Sequence, residues 1–426
     1  MINIWYLFYN IIVIPFLFVM LNLLGLFNKK IKTGIKDRRK LFENLIINLQ
    51  GLNRRKKMVW FHQSSMGEFE QAKPIISRLY ETGKVNIIIT FFSPSGYENS
   101  KNYPYAHIIS YIPFDTPYFA NRFLTIVKPH LAVFMRYDIW PNFIWQLKNK
   151  KVPAFVVDAT MRFDSKRKLP VAKNFHHKLF NDLTSILAVS KDDVENFRAF
   201  GLNKVNLKAV GDTRFDRVFE KSKSAKARKL LSEDFFTGKK VIVAGSSWEA
   251  DENVFLPAFL KLAQKDPDVL LIIVPHEPTV MHLEKLENYL TNQMDSIRFS
   301  YLAQNYNGER IIIVDSIGIL LTLYYYADIA YVGGSFKQGV HNVLEPAVYG
   351  IPVIYGPKHT TSREAKQMLE LGNGIMVKNK RDVYRALRRL TSDETERVRL
   401  GEISRKFIED NLGATEEILA EINKFI

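Results

Sequence analysis

The residues best suited to chemistry stand where short apolar runs give way to helical stretches. His62-Gln63-Ser64-Ser65-Met66-Gly67-Glu68 follows the run 58–62 and leads into a helical stretch from about residue 69. Gly67 permits close backbone approach, and Glu68 falls in the first turn of that helix. A carboxylate there either acts as a general base or completes a helix N-cap, where acidic residues are favoured anyway. Arg136-Tyr137-Asp138-Ile139-Trp140-Pro141-Asn142 forms a second such turn, in which Pro141 and Asp138 are also good helix-start residues. The third is Gly211-Asp212-Thr213-Arg214-Phe215-Asp216. Arg214 there either neutralises a phosphate or is a plain surface cation.

The second half of the chain carries glycine-rich turns. Gly245-Ser246-Ser247-Trp248-Glu249 presents small residues at a helix N-terminus, which suits phosphate binding. Pro275-His276-Glu277-Pro278 is next. Gly333-Gly334-Ser335 then leads to Gly339-Val340-His341-Asn342-Val343-Leu344-Glu345-Pro346, with Gly356-Pro357 downstream. Backbone N–H groups at such glycines can contact an anion, and a carboxylate such as Glu345 can accept both ribose hydroxyls. His341 alone reads as structural, but the cluster exceeds what packing requires and points to a nucleotide site.

Several chemistries are excluded or lose their support. The chain has no cysteine, so disulfides, thiolate nucleophiles, Cys-ligated zinc and iron–sulfur clusters are out. No GxGxxG loop and no GxxxxGK[ST] P-loop occurs, and the nine histidines form neither HxxxH nor HExxH. Asp266-Pro267-Asp268 mimics a metal-binding Asp-x-Asp but carries proline directly before an apolar run, and reads as a turn.

Positioning these turns requires alternating strands and helices. Strands are expected at 58–62, 85–92, 107–112, 130–137, 153–160, 185–190 and 206–211, with helical periodicity between them, as at 116–128 and 191–200. After a polar stretch the rhythm resumes at 240–245, 269–274, 310–314, 328–332, 351–355 and 374–377, and 381–426 reads as helices only. Near-continuous apolar strands separated by helices mean parallel sheets covered on both faces. The expected fold is α/β: two Rossmann-like, doubly wound domains facing a cleft, at 58–219 and 240–400, joined by a linker at 220–239 and closed by a C-terminal helix at 401–426. Ligands of such sheets bind beyond the carboxyl ends of the strands, where all of these turns fall.

Charge supplies the remaining expectation. The 426 residues carry a formal net charge of +16. Residues 2–27 contain no Asp, Glu, Lys, Arg or His, whereas 28–57 hold eleven Lys and Arg against Asp37 and Glu43, a net +9. The apolar run exceeds the ~20 residues that cross a bilayer as a helix. A secretory signal is disfavoured because no positive charge precedes the run and no small-x-small site follows it. A membrane anchor at 1–28 with a basic juxtamembrane segment at 29–57 is expected, its catalytic domains on the cytoplasmic face. Asn3, Asn10, Pro15 and Asn22 leave open whether the anchor spans or lies in the interface. Nucleic acid is not an expected partner, because the basic cluster lacks interleaved aromatics.

Taken in order, these turns resemble those of the 3-deoxy-D-manno-octulosonic acid (Kdo) transferases, which add Kdo to the lipid A precursor. The family carries His-x-x-Ser-x-Gly-Glu where this chain has His62 to Glu68, and a helix exit like Phe123 to Pro129. It carries Glu-Thr-Glu-Leu-Trp-Pro-Asn at Arg136 to Asn142, and Gly-Asn-x-Lys-Phe-Asp at Gly211 to Asp216. Its Pro-Arg-His-Pro falls at Pro275 to Pro278, and its Gly-Gly-His-Asn-Pro-Leu-Glu at Gly339 to Glu345. The resemblance implies a GT-B glycosyltransferase of the cytoplasmic (inner) membrane in lipopolysaccharide biosynthesis, inverting, metal-independent and without a cofactor. CMP-Kdo would bind the C-terminal half, and a phosphorylated glycolipid acceptor the N-terminal half.

By matching position, Glu68 would be the general base, with Arg136, Asp138 and Arg214 in the catalytic set and Ser65 and Gly67 toward the acceptor. Donor contacts would come from Ser246, Ser247, Pro275, His276, Ile317, Gly318, Gly334, Ser335, His341, Asn342, Val343, Leu344 and Glu345. Four positions depart from the pattern: Arg136 replaces a Glu, Arg214 a Lys, His276 an Arg, and Ile317-Gly318-Ile319 a Met-Gly-Glu. Two other readings stand beside this one: a GT-B transferase using a UDP-sugar, and an inactive membrane-tethered protein that binds a nucleotide sugar or lipid.

Overall fold

The computed structural model describes residues 4–426; residues 1–3 of the expected anchor lie outside the described residues. Two seven-stranded sheets, every pairing parallel, organise the chain. The first contains β1 (Lys57–Gln63), β2 (Val85–Phe91), β3 (Ile108–Tyr111), β4 (Leu131–Met135), β5 (Ala154–Ala159), β6 (Ser185–Ala188) and β7 (Asn206–Ala209), in the order β3-β2-β1-β4-β5-β6-β7. The second contains β8 (Lys240–Ser247), β9 (Val269–Pro275), β10 (Ser296–Arg298), β11 (Ile311–Ile313), β12 (Ile329–Val332), β13 (Val353–Tyr355) and β14 (Gly374–Met376), in the order β10-β11-β9-β8-β12-β13-β14.

Successive side chains of a strand point to opposite faces, so each sheet builds two cores. Trp60, Ile88 and Phe134 pack on one face of the first sheet, while Val59, Phe61, Ile87 and Val133 pack on the other. Ile242, Leu271 and Ile273 oppose Val243, Leu270 and Ile272 in the same way in the second. Helices begin where the sequence supplies a cap. Thr116 accepts from Phe119 N ahead of Pro117, and Ser190 accepts from Asp193 N.

The strand order reverses between β1 and β4 in the first sheet, and between β8 and β12 in the second. At such switch points the loops leaving neighbouring strands diverge and open a crevice. Four of the turns singled out above are the loops after β1, β4, β8 and β12, while Gly211 to Asp216 follows β7, Pro275 to Pro278 follows β9 and Gly356-Pro357 follows β13.

The division of the chain differs from the expected one at three places. One unit comprises Met1–Arg217 with Leu412–Ile426, and the other Val218–Asn411. The expected linker at 220–239 is not a free connection: it completes the helix Thr213–Ala227, and Leu230, Leu231, Phe235 and Phe236 pack into the second unit. The C-terminal segment is divided, because the helix Ala414–Ile422 returns to the first unit, where Ile418, Leu419 and Ile422 join its core. Asp216 fixes that return by accepting from Gly413 N at 2.8 Å and Thr415 N at 2.7 Å.

The basic segment 29–57 is likewise integral to the first unit. It forms the helices Lys29–Asp37 and Leu41–Gln50, with Leu41, Phe42 and Leu45 buried. Arg38 is a structural cation: it donates to the carbonyls of Ile112 at 2.9 Å, Phe92 at 2.6 Å and Gly34 at 2.9 Å. Burial pulls its pKa down to about 10.

The apolar segment forms a helix, Ile4–Phe27, with one flank stitched to the first unit. Trp5 Nε1 donates to Asn174 Oδ1 at 2.8 Å, and Tyr9 OH to Asp115 Oδ2 at 2.8 Å. Asn10 and Asn142 exchange amide bonds at 3.0 and 2.8 Å, and the rings of Phe18 and Phe114 meet at 6.1 Å. The other flank exposes Ile4, Ile11, Phe16, Leu23, Leu26 and Phe27.

Candidate active site

At the β1/β4 switch point, Ser65 caps the helix Met66–Glu81 and forms a capping box with Glu68. Glu68 Oε2 accepts from Ser64 N at 2.8 Å and Ser65 N at 3.0 Å. Both backbone bonds use one oxygen, so the cap orients the carboxylate and leaves Oε1 for another partner. The capping and catalytic readings of Glu68 therefore coexist in one side chain. A Cβ on Gly67 would meet only Ser65 Oγ, at 4.0 Å, so its surroundings are open.

The β4 loop brings Asp138 against the β1 loop. Thr90 Oγ1 accepts from Trp60 Nε1 at 2.8 Å and lies 2.9 Å from His62 Nδ1. His62 Nε2 lies 2.9 Å from Asp138 Oδ2. Ser64 Oγ donates to the same carboxylate oxygen, and Trp140 Nε1 lies 2.9 Å from His62 Nε2. Burial pushes the Asp138 carboxyl up. The His62 ring, with hydrogen bonds from His62, Ser64 and Trp140, outweighs that and holds it below the usual carboxylate range. This buried network joins the two loops of the crevice.

Arg136 stands beside it with a left-handed backbone, φ 59°. Its Nε is buried without a hydrogen-bond partner. Arg214 lies elsewhere. It forms a bidentate pair with Asp212, with Nε 3.1 and 3.0 Å from Oδ1 and Oδ2 and Nη2 2.6 Å from Oδ2. Its charge is thereby balanced within its own turn. The adjacent Thr213 donates to Gln71 O at 2.9 Å and bonds to Asp158, tying that turn to the Glu68 helix. Burial, then the charge of Asp212, pushes the Asp158 carboxyl up.

At the β8/β12 switch point, one buried carboxylate ties the loops together. Asp251 Oδ2 accepts from Gly334 N at 2.8 Å and Trp248 N at 3.1 Å, while Oδ1 accepts from Tyr331 OH at 2.9 Å. Burial raises its pKa. Gly334 has φ 92°, and a Cβ there would lie 2.3 Å from Gly339 O. Only glycine lets this loop close on itself. Ser246 also adopts a left-handed backbone, φ 53°.

Above the loops three rings stack. The centroids of Trp248 and His276 are 4.8 Å apart, and those of His276 and His341 4.3 Å. His341 Nε2 accepts from Trp248 Nε1 at 2.8 Å, so its proton sits on Nδ1. Burial, then the neighbouring His276 ring, pulls His341 down to about 4, so it is neutral near pH 7. Asn342 Oδ1 accepts from Leu344 N at 3.2 Å, and Asn342 Nδ2 donates to Glu345 Oε1 at 3.1 Å.

The expected donor residues thus divide. Ser246, Pro275, His276, Gly334 and His341 gather around the switch point. Ser247 and Ser335 reach it, but their hydroxyls serve the fold: Ser247 donates to Glu252 Oε1 at 2.7 Å, and Ser335 Oγ accepts from Gly356 N. Val343 and Leu344 are buried, so only their backbone is available to a ligand. Ile317 and Gly318 belong to the loop after β11, two strands from β8, and Ile317 is 85% exposed. Among the described residues, no group of three or more His, Asp or Glu could hold a metal ion. Sequence reasoning missed Gln63, Arg167, Trp248 and Asp251. Gln63 and Trp248 stood unassigned inside turns already singled out, Asp251 had the signal of an acidic residue three positions into a helix, and Arg167 had none.

Two doubly wound parallel sheets with ligand-type turns at both switch points define the two-Rossmann, GT-B class of fold. Residues 34–217 match the family model described as 3-deoxy-D-manno-octulosonic-acid transferase (kdotransferase). The Aquifex aeolicus 3-deoxy-D-manno-octulosonic acid transferase is 31% identical over 360 residues, covering 84% of this chain and 92% of that protein. The Haemophilus influenzae enzyme of the same name is 27% identical over 384 residues, covering 86% and 87%. The chain belongs to the 3-deoxy-D-manno-octulosonic acid transferase family. Among solved structures, UDP-GlcNAc 2-epimerase from Neisseria meningitidis bound to UDP-GlcNAc shares the fold, with TM-score 0.61 at 16% identity over 87% of this chain and 100% of that one.

Proposed function

We propose that this chain transfers Kdo from CMP-Kdo to a lipid A precursor in lipopolysaccharide biosynthesis, with Glu68 as general base and inversion at the anomeric carbon. The observation that carries the base assignment is the posture of Glu68, oriented through Oε2 by two backbone N–H groups while Oε1 is left over. In the step, an acceptor hydroxyl oxygen bonds to the anomeric carbon from the face opposite the phosphate. The carbon–oxygen bond to phosphate breaks, CMP leaves with the electron pair, and the hydroxyl proton passes to Glu68. A positioned base of this kind contributes about 10²–10⁴-fold. The ring stack and glycine loop at the second switch point are assigned to the donor, with Asn342 and Glu345 toward the ribose. Arg214, neutralised by Asp212, is assigned no direct charge on the leaving phosphate.

The helix Ile4–Phe27 is assigned to the cytoplasmic leaflet, lying in its plane. Its contacts with the body of the first unit run from Trp5 to Phe18, about 20 Å of helix at ~1.5 Å per residue. The remaining nine residues reach only ~13 Å, against the ~30 Å hydrocarbon core. Among them Gly25 packs against Ile31 and Ile35 of the helix Lys29–Asp37. The exposed apolar flank enters lipid while Tyr9 and Asn10 stay bonded to protein.

The test is incubation of the full chain with CMP-Kdo and lipid A precursor, followed by mass spectrometry of the lipid. One or more Kdo masses are expected. Their absence with folded protein overturns the transfer, and protection of the fold by UDP rather than CMP would move the chain to the UDP-sugar reading.

A further inference from the structure

The crevice between β1 and β4 holds two guanidinium groups that pair with no carboxylate among the described residues. Arg136 makes no ion pair, and its Nε is buried without a partner. Its guanidinium carbon lies 5.7 Å from the centroid of the Tyr137 ring, and that of Arg167 lies 5.3 Å from the same centroid. Arg167 also has no carboxylate partner, and burial pulls its pKa below the usual arginine value. Tyr137 itself is 48% exposed. On the adjoining strand end, Gln63 is fully buried with both amide atoms unpartnered.

The two carboxylates of the crevice hold other partners. Asp138 is committed to His62 and Ser64, and Glu68 to the backbone of Ser64 and Ser65. A desolvated guanidinium without a counter-charge is costly. Two arginines around one solvent-facing ring, one with its Nε buried and unpartnered and the other half-buried, beside an orphaned amide, make a site that an incoming anion completes. Guanidinium groups suit a phosphate because their N–H donors match its oxygens in a planar fork.

We propose that Arg136 and Arg167, whose guanidinium carbons lie 5.7 and 5.3 Å from the centroid of the Tyr137 ring, bind a phosphate monoester carried by the sugar acceptor. Gln63 supplies the neutral donor at the neighbouring strand end. The inference rests on the acceptor reading above and gives Arg136, where the family pattern has a carboxylate, a binding role in place of a catalytic one.

The test compares the full chain with R136Q, R167Q and R136K on a phosphorylated glycolipid acceptor and on its dephosphorylated counterpart. Loss of a charge-assisted hydrogen bond predicts a rise of roughly 10- to 100-fold in acceptor KM for R136Q, with kcat little changed. R167Q moves KM in the same direction by less, and R136K recovers part of the loss. On the dephosphorylated acceptor the variants and the parent should agree. Equal losses on both acceptors, or none, overturn the proposal. A binding arm needs no turnover: glucosamine 1-phosphate, glucosamine and inorganic phosphate are titrated calorimetrically into the parent chain and R136Q. Arg136-dependent binding of the sugar phosphate alone supports the site, even where Kdo transfer fails. Equally tight inorganic phosphate, or displacement by CMP-Kdo, reassigns it to a free phosphate or the donor and overturns the acceptor assignment.

Discussion

The two switch points are topologically alike and chemically opposite. The β1/β4 crevice concentrates groups that carry or exchange charge: Glu68, the His62–Asp138 pair, and two arginines without carboxylate partners. The β8/β12 crevice is built from stacked rings, a buried carboxylate tied to backbone and hydroxyl donors, and glycines packed too closely for a side chain. A parallel sheet presents the same strand ends in both units. The loop residues alone therefore decide whether a crevice works on a proton or cradles a ligand through its backbone. In this division of labour, charge removal should cripple the first crevice and steric intrusion the second.

The largest expected effect is Glu68→Gln. Glutamine at this position still completes a capping box, so the helix Met66–Glu81 should stay formed. Turnover should fall about 10²–10⁴-fold, measured as Kdo mass added per unit time, with Tm nearly unchanged. Near-normal turnover would remove the base from the first crevice and with it the contrast.

Gly334→Ala should come next. The substituted residue must hold φ 92° with its Cβ 2.3 Å from Gly339 O, a backbone atom that cannot rotate away. Left-handed strain and overpacking together predict a loss of about 2–4 kcal/mol. Hydrogen exchange should quicken in peptides from 240–400 and stay unchanged in 58–210. A silent substitution would show that the loop can open.

That second site was only half legible in the sequence, and the reasons are physical. The long strands stood out because a strand buried on both faces is an unbroken apolar run, as in Val85–Phe91. β10, Ser296–Arg298, has three residues and one buried side chain, too few for any period to register. The turns were legible because glycines, caps and prolines mark them locally. Their long-range partners were not. Nothing near Arg38 announces three carbonyls at positions 34, 92 and 112. Asp216, whose place in the third turn suggested a site, instead caps a helix almost two hundred residues away. The apolar segment shows its composition in sequence, but long-range contacts such as Tyr9–Asp115 and Asn10–Asn142 reveal which flank meets protein.

Asp138→Asn tests whether charge, and not mere shape, joins the loops of the first crevice. The folded carboxyl is held below its ordinary range. Its contribution is therefore present above the unfolded pKa near 4 and lost as pH falls through the lower folded value. The parent chain should lose stability below about pH 4 in part through this group, and the Asn variant should lose that part of its acid sensitivity. At pH 7 the variant should be about 1.5–3 kcal/mol less stable, the range for a hydrogen bond to a charged group. An unaltered acid profile would mean that the pair is neutral in the folded chain.

The smallest effect belongs to Trp248→Phe, which keeps an aromatic ring against His276 and removes the bond to His341 Nε2. One neutral hydrogen bond is worth about 1 kcal/mol, so the KM for CMP-Kdo should rise about 5-fold while kcat changes little. The pH response distinguishes a positioned neutral ring from a titrating one. His341 is pulled down to about 4 in the folded chain, below the ~6.5 of an unperturbed imidazole. Its contribution to stability is thus complete above about pH 6.5 and is lost as pH falls toward 4. Donor affinity should consequently be flat from pH 8 to about 6.5 in both proteins, with neither gaining affinity on mild acidification. A rise in donor affinity on acidification over that interval would mean that a protonated histidine holds the donor phosphate. The second crevice would then work by charge as the first does, and the contrast between the two would fail.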